Sequence, residues 1–186
     1  MNKELKKIIY SDLSRITPKC NFGSYLKWTL FPKGSTFPYQ VSFRKLQYYK
    51  KKKMLKYSIG LLEYFKYRKL TYKYGIHANA NIPVGKELSI VHGASVFINC
   101  DKIGDHFTIY PMVMLGEAGN HSGIEGKPTI GNNVTIYTGS IIVGNVVLND
   151  NCVVAANSFV NHDVPANTIV AGSPAKIIGC VDTNSG

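Results

Sequence analysis

Four histidines recur at nearly even intervals in the middle of the chain, and they are the side chains best suited to acid–base chemistry. They are His77, His92, His106 and His121, separated by gaps of 15, 14 and 15 residues. Imidazole changes its charge near neutral pH, so a histidine can act as a general base toward a hydroxyl group. None of these gaps is the short spacing of a local pair of zinc ligands, and we therefore predict no metal site.

The four cysteines do not indicate a reactive or metal-binding site. Cys20, Cys100, Cys152 and Cys180 are separated by long, irregular gaps, and no two of them form a C-x-x-C pair. That spacing argues against a zinc ribbon and against a disulfide framework, and it predicts reduced thiols in a cytoplasmic protein. The N-terminus lacks the apolar segment of a secretory signal, and no stretch approaches the ~18 apolar residues that span a bilayer.

Charge divides the 186 residues into two parts. Residues 1–75 carry 18 Lys and Arg against 3 Asp and Glu, a balance of +15, whereas residues 76–186 carry 4 and 8, a balance of −4. Hydrophobic residues make up 45% of the chain, enough to bury a core, which excludes wholesale disorder. We predict a basic, Tyr-rich, mostly helical region over residues 1–75 and a second domain over residues 76–186.

The second domain contains a six-residue repeat. Large aliphatic residues recur at every sixth position between residues 130 and 160, and a small or medium residue follows each of them four positions later. Three positions after each aliphatic residue stands Asn, Gly or Asp, the types that best tolerate a left-handed backbone. Neither an α-helix nor a plain hairpin repeats in this way. The pattern predicts a mainly β fold, a parallel β-helix with three sides in each coil.

A break in the repeat predicts a loop. Leu115 and Ile130 are 15 residues apart, which is not a multiple of six, and the segment between them is polar and rich in Gly. We expect residues 116–129 to leave the coil. Loops on a solenoid usually carry its specificity, so we expect substrate contacts from His121 and Lys127, which lie in this loop.

The repeats and the segment that ends them resemble the hexapeptide-repeat acyltransferases. The segments that carry the resemblance are YGIHANANIPVGKELSIVHGASVFIN at 74–99, KIGDHFTIYPMVMLG at 102–116 and DVPANTIVAGSPAKIIG at 163–179. They are most similar to the serine acetyltransferase-like branch, within which we expect the capsular and O-antigen polysaccharide O-acetyltransferases to be nearest. The resemblance implies a left-handed parallel β-helix, a homotrimer, and transfer of acetyl from acetyl-CoA.

The resemblance also implies roles for single residues. The catalytic base of the branch falls on His92, which would deprotonate the acceptor hydroxyl so that it attacks the thioester. The Asp that orients the base falls on His77, and the Asp next to the base falls on Val91. The loop His and Arg that help hold serine fall on Lys127 and Gly126. Because this set for amino-acid recognition is changed, we predict a sugar hydroxyl of a capsule or O-antigen polysaccharide, or of its precursor, as the acceptor.

The same resemblance places CoA along the coil, between neighbouring subunits. Its pantetheine arm would meet backbone groups where side chains are small, and Lys176 would meet the nucleotide phosphates as a point charge. Asn161 and His162 stand where relatives often have Thr-Lys near the adenine. The predicted contacts of the cofactor are Gly116, Thr138, Gly139, Ala156, Asn161, His162 and Lys176.

The basic region has its own functional hypotheses. An apolar stripe at helical spacing is expected to pack on the β-helix or on a neighbouring subunit. Lys and Arg interleaved with Tyr favour contact with an anionic membrane through residues 1–75, at the inner face of the membrane. An anionic polysaccharide is the second hypothesis and nucleic acid the third, since no nucleic-acid motif accompanies the charge. The stripe consists of Leu55, Ile59, Leu62 and Phe65.

Three alternatives to polysaccharide acetylation stay open. The chain could be a serine acetyltransferase, which Val91 and Lys127 disfavour, or an O-acetyltransferase for a small hydroxyl compound such as an antibiotic. The alternative without enzymatic activity is a β-helix scaffold that kept the coil and lost the chemistry.

Overall fold

The computed structural model describes residues 2–53, 58–119 and 125–181. Four helices precede a coil of short strands. The helices are α1 (Lys3–Ser14), α2 (Phe22–Leu30), α3 (Phe37–Lys51) and α4 (Ser58–Tyr74). The strands are β1 (Ile76–Ala78), β2 (Ser89–Ile90), β3 (Val96–Ile98), β4 (Lys102–Ile103), β5 (Thr108–Ile109), β6 (Met114–Gly116), β7 (Thr129–Ile130), β8 (Thr135–Ile136), β9 (Ile141–Val143), β10 (Val147–Leu148), β11 (Val153–Val154), β12 (Phe159–Val160), β13 (Thr168–Gly172) and β14 (Ala175–Cys180).

The strands form three sheets, one along each side of the coil. Sheet A has the order β1-β3-β6-β9-β12, sheet B has β10-β7-β4, and sheet C has β14-β13-β11-β8-β5-β2. Neighbouring strands are parallel, as in the pairing of Thr129 with Val147 one full coil later. Within the described residues, the hairpin of β13 and β14 is the antiparallel exception. The predicted parallel sheets of hexapeptide repeats, with helices before them, are confirmed.

The interior of the coil follows the six-residue pattern. The six predicted inward aliphatic residues are all buried, and so are the six smaller residues four positions after them. Two of the smaller residues are serines, and both Ser140 and Ser158 donate a hydrogen bond to the carbonyl of Ala155, at 2.8 and 2.7 Å. The hydroxyls are therefore satisfied, as buried polar groups must be. The buried aliphatic residues are Ile130, Ile136, Ile142, Leu148, Val154 and Val160.

Most of the predicted turn residues have a left-handed backbone, and two turns are built differently. At Asn145 the preceding Gly144 takes the positive φ, 90°. Asp163 uses its carboxylate instead, which accepts a hydrogen bond from the N–H of Val147 at 2.8 Å. The residues with the predicted positive φ are Asn133, Gly139, Asn151 and Asn157.

Helices α3 and α4 close the first end of the coil. Tyr39, Phe43 and Leu46 of α3 and Tyr67 of α4 belong to one continuous buried core with the interior of the coil. The hydroxyl of Tyr67 donates to the carbonyl of Ala78 in β1 at 2.6 Å and lies 3.0 Å from the hydroxyl of Tyr39. The helical region therefore forms part of the coil's hydrophobic core.

A buried ion pair joins α1 and α3 to the first coil. Arg44 donates two hydrogen bonds to the carboxylate of Asp12, at 2.8 and 3.0 Å. It also donates to the carbonyls of Val84 and Gly85, at 2.9 and 2.6 Å. The N–H of Leu88 completes the carboxylate's shell at 2.9 Å. Asp12 and Arg44 are only 1% and 3% exposed, and a buried charge needs this degree of pairing to be tolerated.

The apolar stripe of α4 does not pack on the chain's own coil. Ile59, Leu62 and Phe65 are 59%, 70% and 61% exposed, whereas Tyr67 on the other side of the helix is buried. Leu55, the fourth predicted member, lies outside the described residues. Within one protomer this stripe does not cover the coil, because the coil end is already filled by the aromatic residues of α3 and by Tyr67. The other half of the prediction, that the stripe packs on a neighbouring subunit, stays a prediction.

Candidate active site

His92 lies at the turn from sheet C to sheet A, directly after β2. Its backbone is left-handed, with φ 53°, and its exposed imidazole makes no hydrogen bond to any described residue. The strand before it is held by the helical region, since the Thr36 hydroxyl donates to the carbonyl of Ile90 at 2.6 Å. The Gln40 amide donates to the carbonyl of Leu88 at 2.9 Å. These bonds fix the position of the turn and leave the imidazole free.

Gly93 allows the end of α4 to approach this turn. A Cβ atom at Gly93 would lie 2.7 Å from the carbonyl oxygen of Tyr74 and 2.9 Å from its Cβ atom. A larger residue would push the end of the helix away from the coil. The neighbour of His92 is therefore glycine because the main chain of α4 occupies the space of a side chain.

Three of the predicted cofactor positions lie on the same edge of the coil as His92. Strands β2, β5, β8 and β11 pair in succession, so Thr138 and Gly139 form the equivalent turn two coils further on, and Ala156 one coil beyond. At about 4.8 Å per coil, the edge extends roughly 14 Å from His92 to Ala156. Gly139 has φ 76°, and a Cβ there would overlap the side chain of Asn157. The Asn157 side chain therefore fills the space beside Gly139, whereas Ala156 is exposed and its short side chain leaves the neighbouring backbone open to a ligand.

Lys176 lies at the far end of the same edge. It is exposed on β14, opposite Ala171 of β13. The hairpin is held against the coil because the N–H of Gly172 lies 3.3 Å from the hydroxyl of Ser158. The edge therefore begins at an imidazole and ends near a primary amine.

The remaining predicted cofactor positions lie on a different edge, between sheet A and sheet B. Gly116 ends β6 and pairs with Val143 of β9. Asn161 and His162 directly follow β12, and the Nδ1 atom of His162 is 3.3 Å from the side-chain oxygen of Asn161. Within one protomer, these residues are not brought together with His92.

The described ends of the predicted loop lie on this second edge. The chain leaves after β6 and returns at β7, and Lys127, two residues before β7, is half-buried. Gly126 has φ 118°, and a Cβ there would lie 2.9 Å from the Cβ of Asn145. Burial raises the pKa of the nearby Cys100 thiol to about 12, and the charge of Lys127 partly opposes this shift. His121 lies outside the described residues.

His77 does not contact His92. It lies on the outer face of sheet A, where its ring stacks on that of Phe97 with centroids 4.9 Å apart and 6° between the planes. Tyr72 of α4 meets the same ring edge-on, at 6.3 Å. No hydrogen bond joins the two imidazoles in the described structure. The contacts of His77 are aromatic, so the protomer gives it no geometry for orienting the base.

A close contact between an imidazole and a carboxylate, which joins two turns, was missing from the sequence-based prediction. Nδ1 of His106 is 2.9 Å from a carboxylate oxygen of Glu87, and both residues have left-handed backbones, with φ 57° and 58°. Each stands three positions after an aliphatic residue, Ile103 and Val84 respectively, so the six-residue phase could have located both turns. Within the described residues, no cluster of three or more His, Cys, Asp or Glu side chains could hold a metal ion.

A pair of aromatic rings beside the first edge was also missed. Tyr110 and Tyr137 directly follow β5 and β8, and their rings stack at 4.8 Å with 28° between the planes. They stand one and two coils from Val91, the residue before His92. The surface next to the candidate base is therefore aromatic.

Comparisons with known proteins show what this chain is similar to. Residues 127–162 match the family model described as "Bacterial transferase hexapeptide (six repeats)". A solved serine acetyltransferase from Brucella abortus, in complex with coenzyme A, superposes with a TM-score of 0.76 and 24% identity, over 97% of this chain and 70% of that one. A Neisseria gonorrhoeae serine acetyltransferase gives 0.74 and 24%, over 96% and 68%. The predicted resemblance to the hexapeptide-repeat acyltransferases is confirmed.

The curated proteins that are similar in sequence are named serine acetyltransferases. The chain is 42% identical over 106 residues to a serine acetyltransferase of Staphylococcus epidermidis, a match that covers 56% of this chain and 49% of the relative. A serine acetyltransferase of Staphylococcus aureus is 41% identical over 106 residues. The chain spans about half the length of the curated relatives it matches.

These relatives correct the predicted acceptor. They are named serine acetyltransferases, so the prediction of acetylation of a capsule or O-antigen polysaccharide is wrong, and the glycan acceptor falls with it. That prediction depended on Val91, Gly126 and Lys127. Changes at three positions that the resemblance assigns to the acceptor do not outweigh 42% identity over 106 residues. The alternative of a serine acetyltransferase is better supported.

Proposed function

We propose that this chain is an acetyl-CoA-dependent O-acetyltransferase with serine as its acceptor and His92 as its general base. The observation that carries the proposal is the exposed, unpartnered imidazole of His92 at the start of an edge of accessible backbone. The similarity to named serine acetyltransferases supports the same activity. The left-handed winding of the coil, which the resemblance implies, belongs to this proposal.

The reaction requires one base and no covalent enzyme intermediate. The imidazole of His92 accepts the proton of the acceptor hydroxyl, and the oxygen attacks the thioester carbonyl. The C–O bond forms, the C–S bond breaks, and the sulfur of CoA leaves with the electron pair. The imidazolium returns its proton to that sulfur, so the products are the acetyl ester and CoA thiol. Acetyl-CoA lies along the edge that passes Thr138, Gly139 and Ala156, with its phosphates near Lys176.

The proposal includes a homotrimer, because one protomer divides the predicted cofactor positions between two edges. Sheet A lies between these edges, and its outer face carries an apolar row in which Phe97 pairs with Met114 and Met114 with Ile141. These side chains are 47%, 44% and 39% exposed. Around a threefold axis, the edge with His92 in one protomer would lie beside the edge with Gly116 in the next.

The acceptor pocket keeps one feature suited to an amino acid. Lys127 places a cation where the resemblance implies the loop histidine that helps hold serine, and a cation can pair with the carboxylate of serine. Val91 and Gly126 supply no charge where the resemblance implies Asp and Arg. These two substitutions favour a second candidate, a small hydroxyl compound without the amino-acid group, over a scaffold without activity.

The test measures release of CoA thiol from acetyl-CoA with L-serine as acceptor. His92→Asn should lower kcat/KM by about 100-fold or more, because a general base contributes on that order. His106→Asn is the matched control, since His106 is also a histidine in a left-handed turn and Asn tolerates that backbone. The control should keep the wild-type rate.

Two results would overturn the proposal. An unchanged rate in His92→Asn would show that His92 is not the general base. An absence of turnover with L-serine would show that serine is not the acceptor. Turnover with ethanolamine or another small alcohol, but not with L-serine, would establish the second candidate. If no acceptor is acetylated, the remaining alternative is a β-helix scaffold without enzymatic activity.

A further inference from the structure

The helical region presents an exposed apolar surface that the chain itself does not cover. On α2, a stripe at every fourth residue points to solvent, and α4 exposes its own aliphatic stripe. No residue of α2 is fully buried, so this helix lies at the periphery. The members of this surface, which we call the α2/α4 face, are Phe22, Leu26, Leu30, Ile59, Leu62 and Phe65.

The two exposed stripes are connected through α3, and Tyr25 of α2 lies within electrostatic range of α4. Both helices pack against α3. Tyr25 of α2 is close enough to α4 to feel its charges: burial raises the pKa of Tyr25, Lys66 opposes the shift and Glu63 adds to it. Tyr25 also meets Phe37 of α3 edge-on, at 6.3 Å between ring centroids. The exposed stripes thus flank a common aromatic contact.

The charge around this face is mainly positive. The two helices carry five basic residues and a single acidic one, Glu63. The carboxylate of Glu63 is occupied, since it accepts a hydrogen bond from the hydroxyl of Ser42 and lies 4.0 Å from the amine of Lys45. The basic residues are Lys27, Lys66, Arg68, Lys69 and Lys73.

We propose that the α2/α4 face docks on an anionic lipid surface. Helices that lie in the plane of a membrane combine an apolar face with Lys and Arg, and anionic headgroups attract such clusters. Charge favours this partner over face-to-face pairing with a second copy of the chain, because two α2/α4 faces that meet each other would bring like charges together. Among the described helices, none is long and apolar enough to cross a membrane, so docking would be peripheral.

This inference does not depend on the proposed acetyl transfer. The α2/α4 face is built from two helices that pack against α3, whereas His92 and its edge belong to the coil. Lipid binding and catalysis can therefore be measured separately, and either can fail alone.

The experiment is co-sedimentation of the full chain with vesicles. Vesicles of phosphatidylcholine alone are compared with vesicles that contain 30% phosphatidylglycerol, on the order of the anionic content that attracts basic segments. We expect binding to the anionic vesicles to be about tenfold tighter or more, and to weaken at high salt because exposed charges are screened. The double substitution Leu62→Asp/Phe65→Asp should lower binding by at least about tenfold, since it removes apolar contact and adds repulsion.

The control places the same change on an equally exposed apolar residue elsewhere. Ile178→Asp on β14 alters a side chain that is exposed like Leu62 but lies on the terminal hairpin. It should bind vesicles as the wild type does. Circular dichroism checks that each variant folds. If Leu62→Asp/Phe65→Asp does not fold, Lys66→Glu/Lys69→Glu tests the same face by changing its charge.

The outcomes separate the partners. Equal binding to neutral and anionic vesicles, or full binding by the folded Leu62→Asp/Phe65→Asp protein, overturns the proposal. Light scattering of the same variants reports on self-association. A loss of oligomer in the variant without any vesicle binding by the wild type assigns the face to a second copy instead.

Discussion

Replacing Arg44 by Met tests whether the buried ion pair with Asp12 holds the helical region on the coil. The substitution removes five hydrogen bonds: two to the carboxylate, one each to the carbonyls of Val84 and Gly85, and a long one of 3.5 Å to the side-chain oxygen of Gln47. Asp12 is 1% exposed and would keep, of the partners described above, only the N–H of Leu88. Breaking a buried pair in this way costs about 3–5 kcal/mol.

The loss is large enough to measure by heat. In a chain of this size, each kcal/mol shifts Tm by roughly 2–4 °C, so Arg44→Met should lower Tm by roughly 6–20 °C. Scanning calorimetry and urea unfolding give the two readings. The double variant Asp12→Leu/Arg44→Met should recover part of the loss, because no charge is left buried alone.

An exposed pair provides the control. Lys51 lies 3.7 Å from Glu4, and the two side chains are 74% and 66% exposed. Lys51→Met should therefore cost less than about 1 kcal/mol. If Arg44→Met costs no more than this control, burial does not make the pair with Asp12 important, and the reasoning fails.

Two further predictions concern the thiols and the turn at His92. Burial raises the pKa of Cys100 and of Cys152 to about 12. Iodoacetamide at neutral pH should therefore label the exposed Cys180 in the folded protein and reach the two buried thiols only after unfolding. Mass spectrometry of the labelled peptides measures this. Gly93→Ala should cost about 1–3 kcal/mol and lower acetyl transfer, because the added Cβ meets the main chain of Tyr74; a Tm and rate equal to wild type would contradict this.

The coil could be predicted from the sequence because each inward side chain is determined locally. A short strand and a tight turn repeat every six residues, and from residue 130 to 160 the residue types follow that geometry. In the earlier coils the same turns carry Glu87, His106 and Met112, all with positive φ. Glu and Met do not favour a left-handed backbone, although His does, so at Glu87 and Met112 residue identity concealed turns that spacing alone would have located.

The helical region was predicted less well because its contacts join distant residues. The sequence predicted a mostly helical region over residues 1–75, and the described part of that region contains α1 to α4. It did not predict α2, nor the pairing of Asp12 with Arg44, which are 32 residues apart. An apolar stripe shows which face of a helix is hydrophobic, and it does not show whether the chain's own core has room for that face.

The candidate site was only partly predictable for a related reason. The resemblance placed His92, Thr138, Gly139 and Ala156 in positions that the coil aligns along one edge. It also grouped them with Gly116 and His162, which the fold of one protomer places on another edge. A list of positions carries no record of which subunit supplies each residue.

A β-helix built from equal three-sided coils restricts how such a protein can change its length in evolution. Insertion or deletion of one whole three-sided coil keeps every inward side chain facing the interior. Any other length shifts the following sides out of phase, unless the change falls in a loop such as residues 116–129. The distance from His92 to Lys176 can therefore change only in steps of about 4.8 Å. In the proposed complex that distance would be spanned by the pantetheine arm, whose length is the same in every acyl-CoA, so relatives that use a CoA donor should keep the number of coils between these two residues.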